Sequence, residues 1–151
     1  MLRDAERKIL HLLQQEGRIS NVELAARVGL SESPCLRRVK QLEDARVITG
    51  YAAHVDRRKV GLDVVAFIQV HLDQRTESVT QKFVTAVRDE PRIVECYAVS
   101  GAYDYLIKAV ARNLDEFSDL AMRRILRFPG VKDITTGFVL EDVKEPSPLP
   151  L

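Results

Sequence analysis

The stretch that decides the fold runs Ser20-Asn21-Val22-Glu23-Leu24-Ala25-Ala26-Arg27-Val28-Gly29-Leu30-Ser31-Glu32-Ser33-Pro34-Cys35-Leu36-Arg37-Arg38-Val39. It predicts two short helices joined by a tight turn at Gly29, which supplies the left-handed backbone that ends the first helix. Ser20 can cap that helix in a reciprocal arrangement with Glu23. Ser31 caps the second helix, whose first turn tolerates Pro34 because no intrahelical bond is lost there. This is a helix-turn-helix pattern, and its natural partner is the major groove of DNA.

The second helix is predicted to have an apolar side and a basic side. Leu36, Val39 and Leu42 are expected to bury the apolar side. Arginine can read guanine in the major groove, and serine can contact bases or phosphate. The plainer alternative is a solvated helix face. Because the helix lies in a helix-turn-helix pattern, we favour DNA contacts over a solvated face. Lys40 and Arg46 are expected to contact the phosphate backbone. The full set of predicted DNA-binding residues is Ser31, Ser33, Pro34, Arg37, Arg38, Lys40 and Arg46.

Length and composition place the chain among globular proteins. Its 151 residues are 46% hydrophobic and 30% charged, enough apolar material for a real core. Neither a membrane-spanning run nor a signal peptide is visible, so we expect a cytoplasmic protein without a membrane partner. The two cysteines, Cys35 and Cys96, are expected to be small buried hydrophobes rather than a disulfide or zinc ligands. We expect no metal and no cofactor.

The charge is unevenly distributed along the chain. Residues 1–60 contain twelve Lys and Arg against eight Asp and Glu, whereas residues 61–151 contain eleven against fourteen. A basic first part beside an acidic second part suggests that only the first part meets a polyanion. The asymmetry is mild and supports the helix-turn-helix interpretation without replacing it.

The chain divides at a charged linker. A first helix is predicted over residues 4–16, before the two helices described above. Residues 47–55 are rich in β-forming residues and predict a small two-stranded wing or a strand leading away from the helices. We therefore predict a winged helix-turn-helix domain over residues 1–55, a linker over 56–62, a second domain over 63–144 and a tail over 145–151.

The second domain has a strand-helix-strand-strand-helix-strand order. Strands are predicted over residues 64–73, 93–100, 103–110 and 131–143, with the two central strands joined by a hairpin at Gly101. One helix ends before Pro91, and the other begins at the cap residue Asn113 and runs to about residue 126. This order is the ferredoxin-like βαββαβ arrangement, so the fold class is α+β.

Both helices of such a domain pack on one face of the sheet and leave the other face open. The open face is expected to carry Val65 and Phe67. A large, partly apolar sheet face rarely stays in water, so self-association is the natural consequence. A dimer also suits DNA binding, because two recognition helices can then meet two half-sites on one duplex.

From residue 4 to about residue 143 the chain resembles the leucine-responsive and asparagine-responsive regulators of bacteria and archaea, the Lrp/AsnC family, and its leucine-responsive branch in particular. The resemblance is carried by several stretches in a specific order and spacing. They are Gly17-Arg18-Ile19-Ser20-Asn21-Val22-Glu23-Leu24, Val28-Gly29-Leu30-Ser31, Ser33-Pro34-Cys35-Leu36-Arg37-Arg38-Val39, Val99-Ser100-Gly101-Ala102-Tyr103-Asp104-Tyr105-Leu106 and Pro129-Gly130-Val131.

The resemblance implies a winged helix-turn-helix followed by a RAM-type domain that oligomerises and senses an amino acid. It also implies double-stranded DNA as the partner, a place in the bacterial nucleoid, and homodimers that assemble further to octamers. By position, the family's effector pocket maps onto Gly101, Tyr103 and Asp104, with the last strand adding Thr136, Gly137, Phe138 and Val139.

The residues themselves give the hairpin a chemical reason to bind an amino acid. The backbone N–H groups at Gly101 suit a carboxylate, and either Asp104 or exposed carbonyl oxygens suit an ammonium group. The plainer alternative is an ordinary turn glycine beside an exposed aspartate. The chain departs from the leucine-responsive pattern at Gly137 and Phe138, where a tyrosine and a smaller aliphatic residue are common. This departure predicts that the pocket wall differs in shape from that of the leucine-responsive proteins. The expected effector is leucine, methionine or another apolar amino acid.

We therefore predict a sequence-specific transcriptional regulator whose assembly or DNA affinity responds to an amino acid. The alternative is an architectural protein that wraps DNA in the nucleoid without a ligand. An enzyme is disfavoured, because the sequence has no nucleophile-base pair, no metal cluster, no phosphate loop and no paired carboxylates.

Overall fold

The computed structural model describes residues 2–151, which form two compact units. The first unit contains residues 2–54 together with residues 143–151, and the second contains residues 55–142. No helix of the described residues has the length and apolar character needed to cross a membrane.

The first unit is built on three helices, α1 (Asp4–Gln15), α2 (Asn21–Val28) and α3 (Glu32–Asp44). Each helix turns an apolar stripe inward, as the 3.6-residue period requires. The stripes meet in a single cluster that excludes water and holds the helix-turn-helix together. Its buried members are Ile9, Leu10, Leu24, Ala25, Val28, Cys35 and Leu42.

Both α2 and α3 begin after the predicted cap residues, but two of the predicted capping side-chain contacts are absent from the described part of the chain. The N–H of Glu23 donates to Ser20 Oγ at 3.2 Å, and Gly29 has φ +73°. The Glu23 carboxylate lies 3.8 Å from Arg27 instead of returning to the backbone of Ser20. Ser31 occupies the predicted N-cap position of α3 with an extended backbone, but its hydroxyl accepts no capping hydrogen bond from the residues that the structure describes. The start of α3 therefore uses the backbone of Ser31, whose carbonyl oxygen accepts from Cys35 N at 3.2 Å, and not its side chain.

The predicted wing does not form a strand ladder in this unit. Within the described chain, residues 48–55 contain neither helix nor strand. The segment starts from the end of α3, where the N–H groups of Val47 and Ile48 both donate to Leu42 O. Its other anchor is Tyr51, whose hydroxyl donates to Glu43 Oε1 at 2.9 Å. Burial and this carboxylate raise the pKa of Tyr51 to about 12, so the phenol remains a hydrogen-bond donor at neutral pH.

Residues 143–151 rejoin the first unit through the side chain of Gln14. The N–H of Leu149 donates to Gln14 Oε1 at 2.6 Å, and Gln14 Nε2 donates to Leu149 O at 3.3 Å. Pro148 and Pro150 on either side have no N–H to offer. The side-chain amide of Gln14 therefore forms hydrogen bonds with both the N–H and the C=O of Leu149, which lies between the two prolines.

The second unit is a four-stranded antiparallel sheet with helices on one face. Its strands are β1 (Val64–Leu72), β2 (Ile93–Ala98), β3 (Tyr105–Ala111) and β4 (Val131–Phe138), in the order β2-β3-β1-β4. The helices are α4 (Glu77–Asp89) and α5 (Leu114–Ser118). This is the predicted ferredoxin-like arrangement. β2 and β4 are shorter than the predicted strands, and β4 ends five residues before the predicted end. β3 is offset from its predicted range.

The helical run that starts at α5 changes its winding. Asn113 caps it, accepting from Glu116 N at 2.9 Å as the sequence predicts. It then passes into a π-helical segment, Asp119–Arg124, and a 3-10 turn, Ile125–Arg127. The π segment was not predicted, and it keeps Leu120, Ala121 and Ile125 buried against the sheet.

One face of the sheet and the helices share a continuous core. Alternate residues of β1 and β3 point into it, as the two-residue period of a strand dictates. Phe83 of α4 is fully buried there, with its ring 4.6 Å from Tyr105 and 6.2 Å from Phe128, centroid to centroid. The buried members are Ala66, Ile68, Val70, Leu72, Phe83, Val87, Ile107, Ala109, Ala111, Phe117, Leu120, Ala121 and Ile125. Cys96 packs against this core and Cys35 lies in the other, and both thiols are free, as predicted.

A buried carboxylate joins the end of α4 to the π segment. Glu90 is only 2% exposed. Its Oε1 accepts from Arg92 Nε at 2.7 Å, and its Oε2 lies 3.3 Å from Arg124 Nε. The hydrogen bonds from Arg92 hold the pKa of Glu90 below its usual range, although burial opposes them. Ionised Glu90 therefore stabilises the fold.

We expect Glu90→Gln to flatten the acid side of the stability profile. Because the pKa of Glu90 is lower in the folded chain, its stabilisation is complete above the ordinary glutamate value of 4.5 and is lost as the pH falls through the folded value. Melting temperatures measured from pH 7 to 3 should fall less steeply for the variant. The exposed Glu141→Gln is the matched control, and an equal slope for wild type and Glu90→Gln would contradict the assignment.

Candidate functional site

The exposed face of α3 is the first candidate site. Cys35 and Leu42 are buried and Val39 is partly buried, so these residues make the inner stripe. The opposite face carries Ser33, Leu36, Arg37 and Lys40, all exposed and spaced at helical intervals. The prediction that Leu36 is buried is wrong, because its side chain is 56% exposed. Cys35, one residue earlier, takes the inner place.

The two neighbouring arginines of α3 have different surroundings. Arg38 turns toward α1, where its Nη1 lies 3.6 Å from Glu6 Oε1. Both side chains of that pair are largely covered, at 24% and 18% exposed. Arg37 points outward, and among the described residues no carboxylate lies within 4.0 Å of it. The guanidinium of Arg37 is therefore available to a ligand, whereas that of Arg38 is engaged inside the unit.

The remaining predicted DNA contacts lie at the two ends of α3. Ser31 and Ser33 are exposed at its start, and Pro34 is partly covered in the first turn. The first-turn N–H groups of a helix attract phosphate through their partial positive charge. Arg46 follows the last turn in a left-handed conformation, φ +56°, and is exposed. The helix thus presents hydroxyl groups, two free cations and one apolar side chain on a single convex face.

The hairpin between β2 and β3 is the second candidate site, and its aspartate is already engaged. Asp104 Oδ2 accepts from Leu72 N at 2.8 Å, and Asp104 Oδ1 lies 3.1 Å from Arg75 Nε. Gly101 has φ +118°, and the space beside it is open. The ring of Tyr103 meets His71 edge to face, with 6.4 Å between centroids. Asp104 therefore orients the hairpin, and open backbone at Gly101 remains for a ligand.

Three residues around the hairpin were not predicted. His71 Nε2 lies 2.8 Å from Ala102 O, and its Nδ1 lies 2.7 Å from Asp133 Oδ1. Arg75 is the partner of Asp104. His71 lies on the open face, because it follows Phe67 by four residues along β1. No local pattern marks Arg75 or Asp133, because their contacts depend on the pairing of distant strands.

The residues predicted from the last strand lie away from the hairpin. In the register of β1 with β4, His71 opposes Asp133, whereas Phe67 opposes Gly137 and Ala66 opposes Phe138. Four residues along a strand correspond to about 13 Å. One chain therefore separates the predicted effector residues into a hairpin group (Gly101, Tyr103 and Asp104) and a strand group (Thr136, Gly137, Phe138 and Val139).

The two departures from the leucine-responsive pattern face opposite sides of the sheet. Phe138 packs against Phe117, ring centroids 4.9 Å apart, on the side of the helices. Gly137 lies opposite Phe67 on the open face. Because Gly137 has no side chain, it does not cover the Phe67 ring from β4. Within one chain, the substitutions therefore alter two surfaces rather than a single wall.

The open sheet face is partly apolar, with Lys108 opposite Phe67 in the register of β1 with β3, and one correction to the prediction is needed. Phe67 is 39% exposed, whereas Val65 is covered and only 4% exposed. In the register, Tyr97 and Leu106 extend the same face across β2 and β3. Exposed aromatic and aliphatic side chains on a sheet are typical of surfaces that another protein covers.

The two units match two known protein families. A winged helix-turn-helix DNA-binding model matches residues 2–49, and an Lrp/AsnC ligand-binding-domain model matches residues 65–149. The leucine-responsive regulatory protein of Escherichia coli strain K12 is 41% identical over 140 residues, covering 93% of this chain and 85% of that protein.

Solved structures are similar over nearly the whole chain. A transcriptional regulator of Neisseria meningitidis, solved as a complex with L-Met, has a TM-score of 0.95 at 40% identity, covering 99% of this chain and 97% of that one. An AsnC family transcriptional regulator from Agrobacterium tumefaciens has a TM-score of 0.93 at 30% identity, with the same coverage.

Proposed function

The chain belongs to the Lrp/AsnC family of transcriptional regulators, and on that premise we propose how its two units divide the work. The first unit reads duplex DNA through α3, and the sheet unit binds an amino acid that alters this reading. The observation that carries the proposal is the outward face of α3, where a free guanidinium, a free ammonium and a serine hydroxyl lie together. Membership of a family of regulators confirms the prediction that the chain is not an enzyme, and its ligand-binding domain disfavours a purely architectural role.

At the DNA we assign roles by exposure. Arg37 is the base-reading residue, because its planar guanidinium is free and central on the face. Ser31, Ser33 and Pro34 approach the duplex at the start of α3, and Lys40 and Arg46 meet phosphates. Arg38 acts by position: its pairing with Glu6 fixes α3 against α1. We accordingly propose residues 1–55 as the DNA-reading domain, residues 56–62 as the linker and residues 63–144 as the sensing domain.

At the sensor we propose an apolar amino acid, methionine or leucine first. The methionine complex of the Neisseria regulator supports this class. The open backbone at Gly101 suits the ligand carboxylate. Since Asp104 is held by Arg75 and Leu72, we assign it to orienting the hairpin rather than to carrying the ammonium alone. Carbonyl oxygens of the same loop are the further candidates.

Assembly completes the sensor. Because the register places Gly137 four residues, or about 13 Å along the strand, from the position of His71 beside the hairpin, a compact pocket that uses both groups needs a second copy. The partly apolar open face gives the copies a reason to associate. We propose a homodimer that assembles further to an octamer, at work on the nucleoid in the cytoplasm.

A ligand screen followed by DNA binding tests the proposal. We expect one or a few apolar L-amino acids at millimolar concentration to raise the melting temperature, since a ligand of the native state adds stability with occupancy. The same amino acids should change the mobility or affinity of the complex with the chain's own upstream DNA. The D-enantiomers are the control. Tight DNA binding with a silent screen would favour the architectural alternative, and absence of DNA binding would refute the assignment of α3.

A further inference from the structure

Leu36 is an apolar residue on a face that is otherwise polar. It is the large hydrophobic side chain of α3 that the described structure leaves exposed, at 56%. Ser33 precedes it by three residues and Lys40 follows by four, so all three share one side of the helix. Arg37 is its immediate neighbour. An apolar side chain is thus surrounded by the groups assigned to DNA.

The fold gives Leu36 no role in the core. The inner stripe of α3 is complete with Cys35, Val39 and Leu42, and Leu36 lies outside the buried cluster. An isolated exposed leucine would need no explanation. Here it lies midway along a DNA-facing surface, where close contact with the groove floor must exclude water from it.

The major groove offers one apolar group on its base edges, the C5 methyl group of thymine. Hydrogen-bonding side chains gain nothing from that methyl group, whereas an aliphatic side chain buries it. The helix rises about 1.5 Å per residue, so the interval from Ser33 to Lys40 spans about 10 Å, or three base-pair steps of about 3.4 Å. Leu36 lies near the middle of this interval, over one base pair or the step beside it.

We propose that Leu36 is a specificity-determining residue that recognises a thymine methyl group in each half-site. The inference rests on the proposed DNA-binding role of α3 and adds the kind of base that its centre selects. Leu36 distinguishes thymine from uracil and from unmethylated cytosine by the presence of the methyl group. Guanine recognition is left to Arg37.

The test uses a duplex selected from a random library by the full-length chain. Each thymine is replaced in turn by deoxyuridine, which removes only the methyl group. For wild type we expect one position per half-site at which affinity falls about four-fold, the change that burial of one methyl-sized group corresponds to. 5-Methylcytosine, compared with cytosine at that position, should recover part of the loss.

The variant Leu36→Ala closes a double-mutant cycle. It should lower affinity for the thymine duplex and become indifferent to deoxyuridine at the identified position, while other positions keep their effects. An unchanged melting temperature would show that the fold is intact, as expected for an exposed side chain. A Lys40→Ala control should weaken binding without altering the deoxyuridine effect.

The outcomes separate this inference from the function it rests on. If the chain selects no duplex, the DNA-binding role of α3 fails. If it selects one and no thymine methyl group matters, or if Leu36→Ala keeps the methyl dependence of wild type, the role of Leu36 is overturned and the DNA-binding role stands. Loss of self-association in Leu36→Ala, with DNA selectivity intact, would also overturn it and assign Leu36 to a protein contact.

Discussion

Arg37→Ala should weaken binding to the selected duplex by about 1–3 kcal/mol, or roughly 5- to 150-fold, without lowering the melting temperature. The guanidinium of Arg37 is exposed and has no carboxylate partner in the described chain, so its removal leaves the fold unchanged. If Arg37 reads a guanine, the loss is concentrated on duplexes with that base and the salt dependence changes little. If it holds a phosphate, the loss is uniform and the salt slope falls by about one.

Arg38→Ala is the matched control one residue along the same helix. It removes the partner of Glu6, whose carboxylate is only 18% exposed, and so we expect a lower melting temperature. Any weakening of DNA binding should disappear at a temperature where the variant is fully folded. Wild-type affinity in Arg37→Ala, together with weakened binding by a stable Arg38→Ala, would reverse the two assignments. Melting curves and gel shifts on the same preparations decide between them.

Phe83→Ala should be the most destabilising single change considered, by about 3–5 kcal/mol. Phe83 is fully buried and contacts the rings of Tyr105 and Phe128. Its removal leaves a cavity between α4 and the sheet that these rings cannot fill without leaving their own positions. Since domains are stable by about 5–15 kcal/mol, much of the sheet unit's stability is at risk. Denaturant unfolding of the dilute protein measures the loss.

Phe67→Ala is the counterpart on the opposite face of the same sheet. Phe67 is partly exposed and contributes little to the core of one chain, so unfolding at low protein concentration should change by less than about 1 kcal/mol. Self-association should weaken, because the open face loses its central ring. Sedimentation over a concentration series gives this result directly. Equal assembly of Phe67→Ala and wild type would remove the open face from the proposed interface.

Local chemistry predicted the helices of the first unit well and the faces of α3 less well. Ser20 and Gly29 act through bonds to residues three or four positions away, so sequence alone locates them. Of the residues predicted to be buried on α3, Cys35, Val39 and Leu42 lie inward and Leu36 does not, because adjacent helix positions point in different directions and Cys35 takes the inner one. The helix nevertheless orients by the pairing of Arg38 with Glu6, a contact across two helices that no local period contains.

In the sheet unit, the order of strands and helices was predictable from the sequence. The contacts and spacing of the candidate effector-binding residues were not. Alternation in β1 and the cap at Asn113 come directly from residue spacing. The distance between Gly101 and Gly137 depends on the register of β1 with β4, and the engagement of Asp104 depends on Arg75 from the loop after β1. Such contacts arise only when segments distant in sequence pair, so spacing along the chain cannot reveal them.

The contact of Gln14 with Leu149 gives the chain an unusual order of completion. Helix α1 is synthesised before the sheet unit, but the backbone groups that its Gln14 side chain binds belong to Leu149, which leaves the ribosome after that unit. The three helices can therefore form early around their own core, while the last hydrogen bonds of that unit wait for the end of this sequence. A DNA-reading unit that precedes the sheet unit along the chain therefore gains its contact with Leu149 only after the sheet unit has been made.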